Sequence, residues 1–338
     1  MKSILRFLAL AVAAAMLVVL TNCSQATTTG DASNSAPATS SSPAATSANN
    51  PTSGKKQINI NTAILSELDK LEAKLGIPAL SNKIQASRPY GSPQELVSKN
   101  VITQEQFDQI KDMVTIQDVV LTGEAKDIDY MTKLGLMKGH LLVAKELLDL
   151  QLPKQAEPHI GHPVEEIYVD VEEQLKERNV PEFKNTLISL QDLVKSNPKD
   201  AKLATNFDQS MQAVDKAIQV LPESQRQSPQ FVLQVINGLL DSANSEYQAA
   251  IANDKISAVI EYQDSRGFVN YADTLRSNIS DKLTKENSEA QKAIADSMTQ
   301  LKTAWPSAKA PTTPVLPTDK VTQLVKTIEQ NGQKLLKS

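Results

Sequence analysis

The chain has 338 residues, room for two domains, and carries a formal net charge of −4 with only 4% aromatics. Its apolar residues are mostly Leu, Ile, Val and Ala, which suits helices better than sheets. A single cysteine excludes an internal disulfide framework, and the acidic balance excludes a broad electrostatic attraction to nucleic acid or to an anionic membrane.

Residues 1–22 read as a signal peptide. Lys2 and Arg6 supply the positive start, and Phe7–Leu20 is an apolar stretch too short to span a bilayer. It ends in LTNC, where Leu20 and Thr21 fit a bacterial lipobox and Asn22 is larger than the usual small residue. Acylated Cys23 would then anchor an exported, periplasm-facing lipoprotein to the membrane; the alternative is an ordinary signal peptide cut after Ala26. Loss of Lys2 and Arg6 leaves the mature chain at −6. Residues 23–56 are Ser, Thr, Ala, Asn and Pro, too poor in apolar groups to offset ordering entropy, and read as a flexible tether.

Residues 57–119 predict four short helices. Asn61 or Thr62 can cap the first, which carries Leu65, Leu68 and Leu71; the second is ALSNKIQAS; the third starts at Ser92-Pro93; the fourth is capped by Thr103. The stretches ININTA, IPALSNKI, RPYGS with ELV, and the final FDQIK and VTI resemble the helix-hairpin-helix module of the competence DNA receptor ComEA and of the related extrinsic photosystem II subunit. The resemblance implies either DNA capture or docking to another protein. DNA-binding members use Gly-apolar-Gly turns whose bare amides meet phosphates. Here the turns are Gly76-Ile77 and Asn100-Val101, and Gln57–Asp118 holds six Lys and Arg against eight Asp and Glu. That balance disfavours nucleic acid and favours a protein partner.

Residues 120–305 predict an antiparallel all-α bundle, its helices punctuated by Pro153, Pro181, Pro198, Pro222 and Pro229. Tyr130, Leu134, Met137, Leu141, Ala144 and Leu148 recur at helical spacing. DKISAVIEYQDSRGFVNYADTL reads as one helix bearing Ile256, in which Gly267 allows close packing. Residues 306–338 read as a Pro-rich linker and a last helix with Val321, Leu324, Val325, Ile328 and Leu335 on one face.

The three histidines, His140, His159 and His162, fall within 23 residues, with Glu165 and Glu166 following. Imidazole and carboxylate ligands at this spacing suit iron, zinc or copper, and Met137 would add a soft ligand for copper. His162-Pro-Val-Glu165 resembles the H-x-x-E signature of imelysin-like periplasmic proteins linked to iron, with Gly161 one place too close. Glu261 or Asp264 would complete the set from a facing helix. The competing reading is structural: Pro163 begins a helix, His162 caps it, Glu165 and Glu166 complement its dipole, His140 packs among leucines and His159 faces water. No glycine-rich phosphate loop, HExxH or GxSxG occurs, so the chain reads as a binding or scaffold protein without catalytic or cofactor residues.

Overall fold

The computed structural model describes residues 57–117 and 121–336. The leader, Cys23 and the tether lie outside the described residues. The fold is all-α, as the composition predicts.

In the first module Ile58–Asn59 (β1) pairs in parallel with Val114–Thr115 (β2), tying its two ends together. Between them lie Leu65–Leu75 (α1), Leu80–Ala86 (α2), Glu95–Ser98 (α3) and Gln104–Ile110 (α4). Thr103 and Gln106 cap α4 reciprocally, side chain to backbone in both directions. α1 ends on Gly76, whose φ of 64° is the left-handed conformation that glycine adopts without penalty. Leu68, Leu71, Leu80, Ile84, Leu96, Phe107 and Ile110 form the module's own core.

The long helix Gly123–Asp149 (α5) buries Tyr130, Leu134, Met137, Leu141 and Ala144, the stripe its spacing predicts. Pro153–Ala156 (α6) and Pro158–His162 (α7) follow, then a π-turn over Pro163–Ile167 that runs directly into Tyr168–Glu177 (α8). The expectation that Pro163 starts a helix capped by His162 is therefore corrected. His162 is already helical at φ −54° and ψ −47°, and its side chain caps nothing. The Tyr168 amide reaches back five residues to the Pro163 carbonyl. Such single π-turns concentrate at functional sites.

Lys184–Ser196 (α9), Leu203–Gln219 (α10) and Glu223–Arg226 (α11) lead to Pro229–Ala249 (α12). Ile256 is not helical. Ile251–Ala252 (β3) and Lys255–Ile256 (β4) form a small hairpin, because Asn253 and Asp254 both take positive φ, as a type I′ turn requires. The helix predicted there begins three residues after Ile256, as Val259–Asn278 (α13). Ser280–Lys302 (α14) kinks at Asn287, whose side chain accepts the Ala290 amide at 3.0 Å. Thr318–Leu336 (α15) buries Val321, Leu324, Ile328 and Leu335. The Pro-rich segment before it lies against the bundle. Tyr247 Oη donates to the Leu316 carbonyl at 2.8 Å, and the Ile256 amide donates to Thr312 at 3.1 Å.

Two features position the site. The first is the crossing of α5 and α13 at Gly139 and Gly267. A Cβ on Gly267 would lie 2.2 Å from the Gly139 carbonyl oxygen, so only glycine permits this approach. Arg266 fastens the same crossing: its guanidinium makes two bonds to Glu146 at 2.8 and 2.9 Å and a third to the Trp305 carbonyl. The second is the contact of α1 with α12, where Lys70 pairs with Asp241 and Ile64 joins the bundle core. Among the described residues no helix is long and apolar enough to cross a membrane.

Candidate metal centre

The glycine crossing sets His140, the residue after Gly139, beside Asp264, one turn before Gly267. The α7 segment brings His159 and His162 to the same place. His140 packs against His162 with ring centroids 5.5 Å apart, and His159 lies 6.3 Å from His140 and 6.5 Å from His162. Asp264 stands at the centre of the three, 4% exposed.

The three imidazoles are not equivalent. His159 is fully buried and both its nitrogens are occupied. Nδ1 lies 2.6 Å from Asp264 Oδ1, and Nε2 lies 2.8 Å from Gln263 Oε1. Gln263 points that oxygen at the ring because its amide nitrogen already donates to Gln155 Oε1 at 2.8 Å and to the Ala308 carbonyl at 3.0 Å. His159 thus orients Asp264 and has no nitrogen left for an ion.

His140 differs. Its Nδ1 also lies 2.6 Å from Asp264 Oδ1, an ion-pair contact, but this buried nitrogen makes no well-directed hydrogen bond. His162 completes the group, its Nδ1 3.6 Å from Asp264 Oδ2. One ligand atom from each of His140, His162 and Asp264 lies within 4.8 Å of the others. Donors on a tetrahedral ion stand ~3.4 Å apart, so an ion would need the widest of these separations to close by ~1 Å and the 2.6 Å contact of His140 with Asp264 to open. His162, 31% exposed on its side chain, is the freest to move.

The electrostatics agree with the geometry. Burial pushes the Asp264 carboxyl up, but the neighbouring His140 and His159 outweigh it and hold it well below the usual carboxylate range. Burial lowers His140, only partly offset by Asp264. Burial also works against a charged His162, but Asp264, Glu166 and Glu261 raise it to about 9. Without an ion, a proton on His162 supplies the positive charge that these carboxylates face.

His140, His162 and Asp264 line a cavity of about 830 Å³ between the first module and the bundle. Glu166 lines it, its carboxyl raised by burial. Glu165 is exposed and does not line it. Met137 is fully buried and is likewise absent from the lining. Asp69 and Glu72 from α1, Glu246 from α12 and Glu261 from α13 are the other acidic residues of its lining. Sequence reasoning named Glu261 and missed Asp69 and Glu246. Glu246 left a trace, since it follows Leu239 and Ala243 on the buried face of α12 at spacings of four and three.

Residues 222–338 match the iron permease-associated 4-helix bundle domain. The match takes in α12, α13, α14 and α15, hence Glu246, Glu261, Gln263 and Asp264. It covers about a third of the chain. No curated protein and no solved structure matches the chain.

The expected kinship with the competence DNA receptor and the photosystem subunit is corrected by the same comparison: the family match lies in the bundle, and no helix-hairpin-helix family matches residues 57–118. The amides that a phosphate would need at the start of the second helix are already taken. The amides at the start of α2 are occupied by Glu72: the Ala79 amide donates to Oε1 at 2.9 Å, and Ser81 donates to Oε2 through its amide at 3.3 Å and its hydroxyl at 3.0 Å. Gly76 and Ile77 face the acidic cavity. At the other turn Asn100 takes φ 56°, and the Val101 amide is spent on the Leu96 carbonyl at 2.9 Å.

Proposed function

We propose that this protein is a membrane-tethered, extracytoplasmic metal-binding lipoprotein that holds ferrous iron, as cargo for an associated permease, through His140, His162 and Asp264. The observation that carries the reading is the convergence of His140, His162 and Asp264, whose ligand atoms lie within 4.8 Å of one another while the buried Nδ1 of His140 makes no well-directed hydrogen bond. Two histidines and one carboxylate with open positions form a donor set that suits iron(II). His159 serves as the outer partner that fixes the carboxylate, the usual support of a metal ligand. The matched domain family supports iron over zinc or copper, and its name suggests a permease as the partner. The tether and Cys23 anchor would keep the bundle at the membrane outside the cytoplasm, and the role is binding, not catalysis.

The test is elemental analysis and anaerobic titration with Fe²⁺ of the purified protein, wild type against His162→Ala and Asp264→Asn. Wild type should bind one ion at this centre and gain ~2.7 kcal/mol of stability at a hundredfold excess over Kd. Both variants should lose that gain. A wild type that neither retains nor titrates with iron, zinc or copper ends the metal reading.

A further inference from the structure

The cavity is much larger than the ion proposed for it. Its volume of about 830 Å³ is that of a small-molecule site, whereas an octahedrally hydrated ion needs roughly 200 Å³. Size therefore does not decide the form in which the metal enters, free or carried by an organic chelate. Charge and hydrogen-bonding capacity do.

Six carboxyl groups line the cavity, those of Asp69, Glu72, Glu166, Glu246, Glu261 and Asp264, and no lysine or arginine does. Burial raises Asp69 and Glu246, so these two hold a proton more readily than usual, but a neutral carboxyl offers an anion no positive charge either. The one lining group pushed toward a positive charge is His162, and its Nδ1 already faces Asp264 Oδ2 at 3.6 Å. Backbone amides at a helix start are the other common partners of an anion. The amides of Ala79 and Ser81 belong to residues of the cavity wall, yet both donate to the Glu72 carboxylate, at 2.9 and 3.3 Å, and the Ser81 hydroxyl joins them at 3.0 Å. The protein thus occupies these anion-receiving groups with a side chain of its own.

An anionic chelate of the metal, such as a citrate or catecholate complex, would enter a space of like charge without a basic side chain to meet it. A hydrated cation meets the reverse. Its waters can donate to carboxylates around the wall. At one end of the cavity, His140, His162 and Asp264 present converging ligand atoms, and the buried His140 Nδ1 makes no well-directed hydrogen bond. There the ion can exchange water for protein donors.

We infer that the cavity takes the metal as a free, hydrated cation and turns away its anionic chelates, so that a chelate-stripping step must precede this protein. This names the chemical form of the cargo and rests on the metal-binding reading.

The test uses two exchange-inert complexes of similar size and opposite charge: hexaamminecobalt(III), a stand-in for the hydrated ion, and hexacyanocobaltate(III), an anionic complex. Neither can pass its metal to the histidines, so each reads the cavity and not the ligand exchange. Calorimetry on the full chain measures their binding, and a separate Zn²⁺ titration reads the histidine centre. Wild type should bind the cationic complex at least ~100-fold more tightly than the anionic one, and the bound cation should slow zinc uptake. The isosteric double variant Glu72→Gln/Glu261→Gln should weaken the cation at least ~10-fold. His162→Ala should keep the cation while losing zinc. Circular dichroism checks that each variant is folded. Equal binding of the two complexes, no binding of the cation, or a cation affinity unchanged by the double variant overturns the charge selection, and zinc binding in the same samples leaves the metal reading standing. Cation binding by a wild type that takes no zinc removes the metal reading, and the statement about its cargo falls with it.

Discussion

Replacing Gly267 with alanine perturbs the protein where fold and site are joined. The new Cβ would stand 2.2 Å from the Gly139 carbonyl oxygen, about 1 Å inside van der Waals contact. The atom it meets is backbone within a long helix, so relief requires α5 and α13 to move apart. Overpacking of this kind costs about 1–3 kcal/mol, and a backbone-to-backbone clash belongs at the upper end. Alanine returns about 1 kcal/mol of helix propensity, which leaves a net loss of about 2 kcal/mol. For a unit of this size the melting temperature should fall by about 4–8 °C. The same separation carries His140 away from Asp264, so metal affinity should drop at least tenfold. Gly332→Ala on α15 is the control: its Cβ would lie 3.7 Å from Leu233, an ordinary contact, and stability should hold or rise slightly. The assay is thermal melting by circular dichroism with and without added metal. If Gly267→Ala melts with wild type and binds metal as well, the crossing does not set the site and the reasoning fails.

Other outcomes follow from the same structure. Cys23→Ser should move the protein from the membrane pellet to the soluble fraction; a variant that stays in the pellet refutes the lipid anchor. His159→Phe keeps the bulk but removes the bond to Asp264, so metal affinity should fall ~10–100-fold with the other ligands in place. Unchanged affinity would show that His159 only fills space. The metal-free protein should lose stability as pH rises from the unfolded value of 3.8 to about 7, because folded Asp69 keeps a proton that the unfolded chain has released. His162, raised from 6.5 to about 9, adds a separate loss across that higher range, so the two contributions are told apart by pH window. Melting of Asp69→Asn/Glu246→Gln under a chelator should lack the first fall and keep the second.

The all-α fold was legible because its periodicity is strong. The stripe from Tyr130 to Ala144 could bury only as a helix, and Thr103 announced the start of α4. Asp264 was legible as a charge interrupting an apolar face. What was not legible depends on contacts between distant segments. The separation of His159 from His140 and His162 rests on which way the Gln263 amide points, and that is set by Gln155 and Ala308, each over 40 residues away. The resemblance of the first module rested on the apolar spacing of short helices and on a few turn residues. That spacing does not reveal that Glu72 fills the amides on which the family's chemistry would depend. The hairpin before α13 was missed because Ile256, Val259 and Ile260 also satisfy a helical spacing, and the left-handed turn at Asn253-Asp254 overrides it.

The placement of the ligands explains why a four-helix bundle by itself would not make this centre. The matched segment, residues 222–338, supplies Glu246, Glu261 and Asp264, all of them carboxylates. Such a bundle offers hard, hydrated ions an oxygen-lined wall and has no imidazole. The imidazoles come from α5 and α7, upstream of the match. The Gly139–Gly267 crossing is what joins the two groups, because any larger residue would hold His140 away from Asp264. The upstream helices therefore change the chemistry of the bundle. They turn an acidic groove into a cavity that imidazoles and carboxylates line together, which is the mixed donor set a transition metal would need.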